Sequence, residues 1–260
     1  MKTTKLLLNL VLLLALPVAA DNSTLRYTLS GELELSLEQE IYAGGGKKAI
    51  ARRYFGMTFG FGESMDVNTP VELMAIRANY NAHGMKQRLP AAHLAGKSFA
   101  LEGDGRSFES NEIGPEVNVG QITDGNFLPA EALVQLLPIL PEGPIDVGSV
   151  WETTRSIRSL EGWSWAGGEL SRHHEVTDID DSNGTRIISV ATRGEATLLA
   201  AEGHEGYGGE GKLQQSIEWS FDAANGQLLS LKGEQEVDGG TSHVPQGDVP
   251  VRQITRFDIS

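Results

Sequence analysis

A chain of 260 residues with 35 acidic against 21 basic side chains, a net charge of −14 and no cysteine excludes several classes at once. Its acidity repels phosphate backbones and anionic headgroups, so nucleic acid is not an expected partner. Without cysteine the fold must stand on its core rather than on disulfides, and the length suits one large β domain or two half-size ones.

The first twenty residues read as a secretory leader. Lys2 and Lys5 precede an apolar run from Leu6 to Leu16 interrupted only by Asn9, and Pro17-Val18-Ala19-Ala20 supplies small residues for cleavage after Ala20. The run is too short to span a bilayer, and no later run is long enough either. The expected location is therefore extracytoplasmic, periplasmic in a bacterial envelope. No cysteine follows the leader to carry a lipid anchor.

Residues 25–38, LRYTLSGELELSLE, alternate with period two. Leu25, Tyr27, Leu29, Leu33, Leu35 and Leu37 fall on one face, and Arg26, Glu32, Glu34 and Glu38 on the other. This predicts a strand with one wet side. Phe55, Met57, Phe59 and Phe61 repeat the pattern against Gly56, Thr58, Gly60 and Gly62, and Met74, Ile76, Ala78 and Tyr80 repeat it again. Asp104-Gly105, Asn183-Gly184 and Asn225-Gly226 are hairpin-tip dipeptides. Clean alternation joined by such turns predicts antiparallel sheet, because buried parallel strands read as continuous apolar runs. FALEGDGRSF (99–108) and WSFDAANGQLL (219–229) echo each other as strand, acidic turn, strand. Duplication or shared turn chemistry would both produce that echo.

The middle segment departs from the pattern. Pro129 suits the first turn of a helix, Glu131 sits at the positive end of its dipole, and Leu133, Val134, Leu136 and Leu137 form a stripe that Pro138 terminates. About nine helical residues are too few to persist alone in water. Their Leu side must dock on the apolar sheet faces, as a lid or plug at the joint between two β halves. The expected organisation is leader 1–20, N-terminal β half 21–126, helical and Pro-rich connector 127–146, and C-terminal β half 147–260.

The exit LPEGPIDVGSVW (140–151) is similar to the midpoint of an uncharacterised family of exported bacterial β-rich envelope proteins, approximately L-P-x-x-P-V-x-V-G-D-x-W. Leu140, Pro141, Pro144, Val147, Gly148 and Trp151 match; Ile145 and Ser149 stand where the pattern has Val and Asp. SFDAANGQLLS and AGKSFALEGDGR resemble that family's late and early hairpins. The resemblance implies a β-rich envelope protein and no catalytic residue. Lipid anchoring, common in the family, does not carry over without the cysteine.

Downstream, Trp163 and Trp165 lie two apart and hence on one face of a strand, where aromatics pack a core or meet a ligand. His173 and His174 would point to opposite faces of a strand and cannot easily share a metal. The acids Asp178, Asp180 and Asp181 run out of register with a calcium loop. His204 lies between Glu202 and Glu205 without a nucleophile in view. GYGGEGKL (206–213) contains phosphate-loop spacings, but Leu213 stands at the Ser/Thr position and the following residues alternate as a strand, with Leu213, Ile217, Trp219 and Phe221 on one face. Near the end, Thr255, Phe257 and Ile259 share a face.

These readings predict a mainly β protein: antiparallel curved sheets, an open barrel or a pair of half-barrels, capped by one short helix near 129–138. The expected function is non-enzymatic sheltering of an apolar, lipid-like ligand, with Leu133, Leu136, Leu137, Trp151, Trp163 and Trp165 as ligand-facing candidates. The alternatives are a structural or interaction protein that meets another envelope protein and has a solid core and, remotely, a hydrolase of envelope polymers. No catalytic residue, metal or cofactor is singled out.

Overall fold

A computed structural model describes residues 25–26, 28–62, 68–82, 84–110, 117–118, 126–127, 129–157, 165–166, 168–200, 207–208, 210–244 and 247–260. Residues 1–20, read above as a leader, and Tyr27, Trp163 and His204 lie outside these residues. The N-terminal part carries β1 (Gly31–Ala43), β2 (Ala51–Phe61), β3 (Asn68–Ala82), β4 (Met85–Arg88), β5 (Lys97–Gly103), β6 (Phe108–Ser110), β7 (Val117–Asn118) and β8 (Asn126–Phe127). Helix α1 (Pro129–Leu136) follows. Then come β9 (Val150–Ser156), β10 (Trp165–Ala166), β11 (Glu169–Asp180), β12 (Ile187–Ala200), β13 (Tyr207–Gly208), β14 (Glu210–Asp222), β15 (Gln227–Val244) and β16 (Gly247–Ile259).

Among the described residues, fourteen strands form a single antiparallel sheet. Its order is β6-β5-β3-β2-β1-β16-β15-β14-β12-β11-β9, with β4 on β3, β10 on β12 and β13 on β15. The small β7–β8 pair stands apart. The sheet is curved and open, not closed into a barrel. The N-terminal strands step outward from β1 to β6, and the C-terminal strands step inward from β9 to β16. The two wings meet where the first and last long strands pair, with Leu37 opposite Phe257 and Gln39 opposite Thr255. Helix α1 lies between the wings in the chain, but in space it sits at the other end of the sheet, where the outer edges β6 and β9 are left over.

Inward-facing residues of nearly every long strand, with all of α1's Leu side chains, make one core. Leu35, Leu37, Phe55, Phe59, Leu73, Leu101, Phe221, Leu133 and Leu137 are fully buried in it. Two expectations need correction. The first strand begins at Gly31, whose φ of 75° breaks the extended run, so among the described residues before it only Thr28 makes a bridge, to Gln227. Met74 does not share a face with Ile76, Ala78 and Tyr80: the register slips where Thr58 faces Ala75 and Phe59 faces Leu73, so Met74 turns outward and is 44% exposed. No described helix is long and apolar enough to cross a membrane.

The outer face carries charge ladders. Arg52 and Arg256 both reach Glu40, at 2.9 and 3.2 Å, Arg256 also reaches Glu234 at 2.9 Å, and Lys232 meets Asp258 at 3.0 Å.

Candidate functional site

The interior is built from α1 outward. Pro129 and Glu131 open the helix as read, and seven of its eight residues are buried, Glu131 being half-buried. It is therefore a plug embedded on all sides rather than a lid with one dry face. Each of its fully buried leucines contributes roughly 1.5–3 kcal/mol, which offsets the cost of ordering so short a helix.

A helix leaves its last carbonyls without intrahelical donors, and here they point into protein. The Leu137 N–H closes on the Leu133 carbonyl at 3.1 Å. The next two carbonyls take guanidinium groups from the C-terminal wing: Arg155 of β9 donates to Val134 O, and Arg172 of β11 donates to Gln135 O. Both cations sit at the negative end of the helix dipole. Arg155 also donates to Phe108 O of β6 at 3.3 Å, so one side chain ties together both outer edges of the sheet and the plug between them.

Arg172 is 2% exposed. Burial, then the like charge of Arg155, lowers its pKa to about 9. Its Nε donates to Gln215 Oε1 at 2.8 Å, and Gln215 Nε2 donates to Gln235 Oε1 at 3.3 Å. These residues belong to a cross-strand row. Strand pairing sets Tyr80 opposite Arg53, then Gln39, Thr255, Gln235, Gln215, Gly194, Arg172 and Thr153 in turn. All face inward. Beyond the row a second apolar level begins, with Ile41, Ala51, Ala82, Leu170, Leu213, Val237 and Val251. The interior is thus an apolar level filled by α1, a polar belt, and a second apolar level.

Next to the belt, His174 lies between two hydroxyls, with Nδ1 2.8 Å from Thr192 Oγ1 and Nε2 2.8 Å from Thr153 Oγ1. Burial, then the charges of Arg172 and His173, pushes its pKa down to about 3. The ring is neutral, one nitrogen donating and the other accepting. Trp151 stacks on it at 4.7 Å, and Trp219 meets Trp151 edge-on at 6.2 Å while donating to Thr192 Oγ1 at 3.0 Å. His173 faces outward, as the strand alternation predicts.

The connector after α1 spans the mouth between the wings. The Leu140 N–H reaches Arg106 O at 2.9 Å, and Arg106 holds Glu142 at 2.9 Å. On the other side the Gly148 N–H bonds Val176 O at 2.9 Å, and Trp151 Nε1 donates to Ile139 O at 2.9 Å. The Pro- and Gly-rich stretch thus works as a strap pinned at both ends. A groove of about 490 Å³ runs along it, lined by Arg106, Leu140, Ile145, Val150 and Trp151.

The structure brings Leu133, Leu136, Leu137 and Trp151 into one core; Leu133, Leu136 and Leu137 are buried and Trp151 is partly so. Trp165 starts β10, opposite Ala200, and Trp163 is outside the described residues. Lys212 and Leu213 stand in β14, so the phosphate-loop spacing does not open a helix. Sequence reasoning missed Arg155, Arg172, Gln215 and Gln235. Their signal was a polar residue at apolar parity inside a strand, as Gln215 between Leu213 and Ile217. Among the described residues, four carboxylates depart clearly from their ordinary values, and all shift downward. Glu40 is pushed up by burial but held lower overall by Arg256, Tyr42 and Arg52. Asp104 is likewise pushed up by burial and held lower by the Arg106 and Ser107 N–H groups. Asp180 is lowered by Ser182, and Asp222 by Asn225. No family model and no curated protein matches this chain.

Proposed function

We propose that this is an exported, non-enzymatic envelope protein that shelters an apolar, lipid-like ligand on the inner face of its curved sheet, with α1 as the plug that the ligand displaces. The observation that carries the reading is the mismatch between the surface covered and its cover. An open sheet turns its large apolar side chains toward an eight-residue helix that could not persist on its own. The helix is fastened by arginines and a pinned strap, contacts that can be exchanged without unfolding the sheet. The leader over residues 1–20 and the resemblance of residues 140–151 to exported β-rich proteins support the envelope location. Cleavage after Ala20 is checked by the intact mass of the exported chain.

Protein purified natively and extracted with organic solvent should release acyl lipid in near-stoichiometric amount, and delipidated protein should take up a fluorescent acyl probe. Empty extracts from folded protein that also ignores the probe would overturn the reading. The burial of Leu133, Leu136 and Leu137 favours a second reading, a structural or interaction protein with a solid interior. Hydrogen exchange separates the two. A plug opens locally, so the Leu137 amide exchanges faster than amides of β14, whereas a solid core releases both together.

A further inference from the structure

The polar end of the interior specifies the ligand further, if α1 is displaced as proposed above. We infer that the sheltered molecule is an anionic amphiphile, an acyl chain ending in a carboxylate or phosphate, whose head replaces the Val134 and Gln135 carbonyls on Arg155 and Arg172. Arg172 is almost completely buried, yet its acceptors are one amide oxygen and one backbone carbonyl; among the described residues no carboxylate pairs with it. The neighbouring charge that it feels is Arg155's, of the same sign. A buried guanidinium compensated only by a helix end is tolerable while the helix stays. Once α1 moves, Arg172 loses its backbone carbonyl, and a buried cation is left facing an apolar space with the like charge of Arg155 beside it. That is costly unless a new acceptor arrives with the ligand.

A hydrocarbon or a neutral alcohol does not supply one of matching charge. A carboxylate or phosphate does, because its oxygens fit the guanidinium fork and form charge-assisted bonds. The space vacated agrees. Eight helical residues leave a slot about 12 Å long, lined by the core that held Leu133, Leu136 and Leu137, with the arginines at one end. The belt itself is rich in donors: beyond Arg172 and Gln215 it reaches Gln235, whose buried Nε2 has no acceptor among the described residues. The acidic exterior repels anions, so anion preference reports the interior.

The test is calorimetric titration of delipidated protein with decanoate, decyl phosphate and decanol at one salt concentration. Decanoate and decyl phosphate should bind at least about tenfold more tightly than decanol, from charge-assisted against neutral hydrogen bonding. Arg172→Met should erase most of that preference while decanol affinity stays within about twofold, and Arg172→Lys should retain part of it. Should Arg172→Met fail to fold, Arg155→Met, at a half-buried edge position, must reduce the preference in the same direction. Decanol binding as tightly as decanoate overturns the anionic head and leaves the apolar-ligand reading standing. So does a preference unmoved in every folded arginine variant. If none of the three binds the folded protein, the plug reading falls, and this inference with it.

Discussion

The two wings of the sheet hold α1 in different ways. The N-terminal wing presents Phe55, Met57, Phe59, Leu73, Phe99 and Leu101, a surface that attracts any apolar partner without dictating its orientation. The C-terminal wing presents Arg155, Arg172, His174 and Thr192, groups satisfied only in one arrangement. The first wing supplies the larger apolar share of the core, to which the second adds Ile217, Trp219 and Phe221, and the second also fixes the position. The sharpest way to break this comparison is to empty the first wing. Phe59 is fully buried and meets Phe99 edge-on at 6.1 Å. Phe59→Ala should cost about 3–5 kcal/mol, read as a lower urea midpoint at unchanged m-value. A loss under about 1.5 kcal/mol would mean that the N-terminal wing is not the energetic half.

The second wing can be loosened by protons alone. His174 has a folded pKa of about 3 against about 6.5 in the unfolded chain. Between these values the unfolded chain binds the extra proton and the fold does not. Stability is therefore complete above about pH 6.5 and falls as pH drops toward 3, by at most about 1.4 kcal/mol per unit from this group. The lowered carboxylates, Asp104 among them, act only at more acidic pH. Urea midpoints measured from pH 7 to 5 thus span the range in which His174 acts, and His174→Gln should flatten that slope. An unchanged slope in the variant would place the proton elsewhere.

The two wings were also unequally legible. Alternation alone marks β1, β2, β14 and the short Pro-bounded helix, because apolar parity is a local property of the chain. The echo between residues 99–108 and 219–229 has the same local origin. Asp104 Oδ1 accepts from the Arg106 and Ser107 N–H groups, and Asp222 Oδ1 accepts from those of Ala224 and Asn225, so one turn chemistry occurs twice. Two features depend on pairings between distant strands, and no window of sequence contains them. One is the seam of β1 on β16. The other is the belt, since Gln39, Gln215 and Gln235 look like isolated polar interruptions until the registers align them. Of the candidate site residues, the leucines were visible through their stripe. Arg172 was hidden because an arginine at apolar parity reads as noise until a helix end is found opposite it.

Gly194 tests that alignment at smaller scale. It occupies the gap in the belt across which Arg172 reaches Gln215, and a Cβ there would lie 3.1 Å from Leu170 Cδ1 and 3.2 Å from Gln215 Oε1. Gly194→Ala should cost about 1–3 kcal/mol by overpacking. Gly56→Ala is the control: its Cβ would meet the Tyr54 hydroxyl at 3.1 Å, but that side chain is on the outer face and can swing away, so the change should be within about 0.5 kcal/mol of neutral. Equal losses at the two glycines would mean that the belt is no tighter than the surface.

The smallest effect is expected outside, at the seam where the wings join. Arg256 on β16 bridges Glu40 of the N-terminal wing and Glu234 of the C-terminal wing, and Arg52 adds a second contact to Glu40. The network looks like a clasp, but its arginines are about half exposed or more, and exposed pairs gain little over their hydration. Beneath it the seam already has nine paired positions between β1 and β16, together with the fully buried Leu37 against the buried Phe257. Glu40→Gln should therefore cost about 0.2–1 kcal/mol, and less in high salt, where such pairs are screened. A loss above about 2 kcal/mol that persists in high salt would mean that charge, rather than the backbone ladder and the apolar face beneath it, holds the two wings as one sheet.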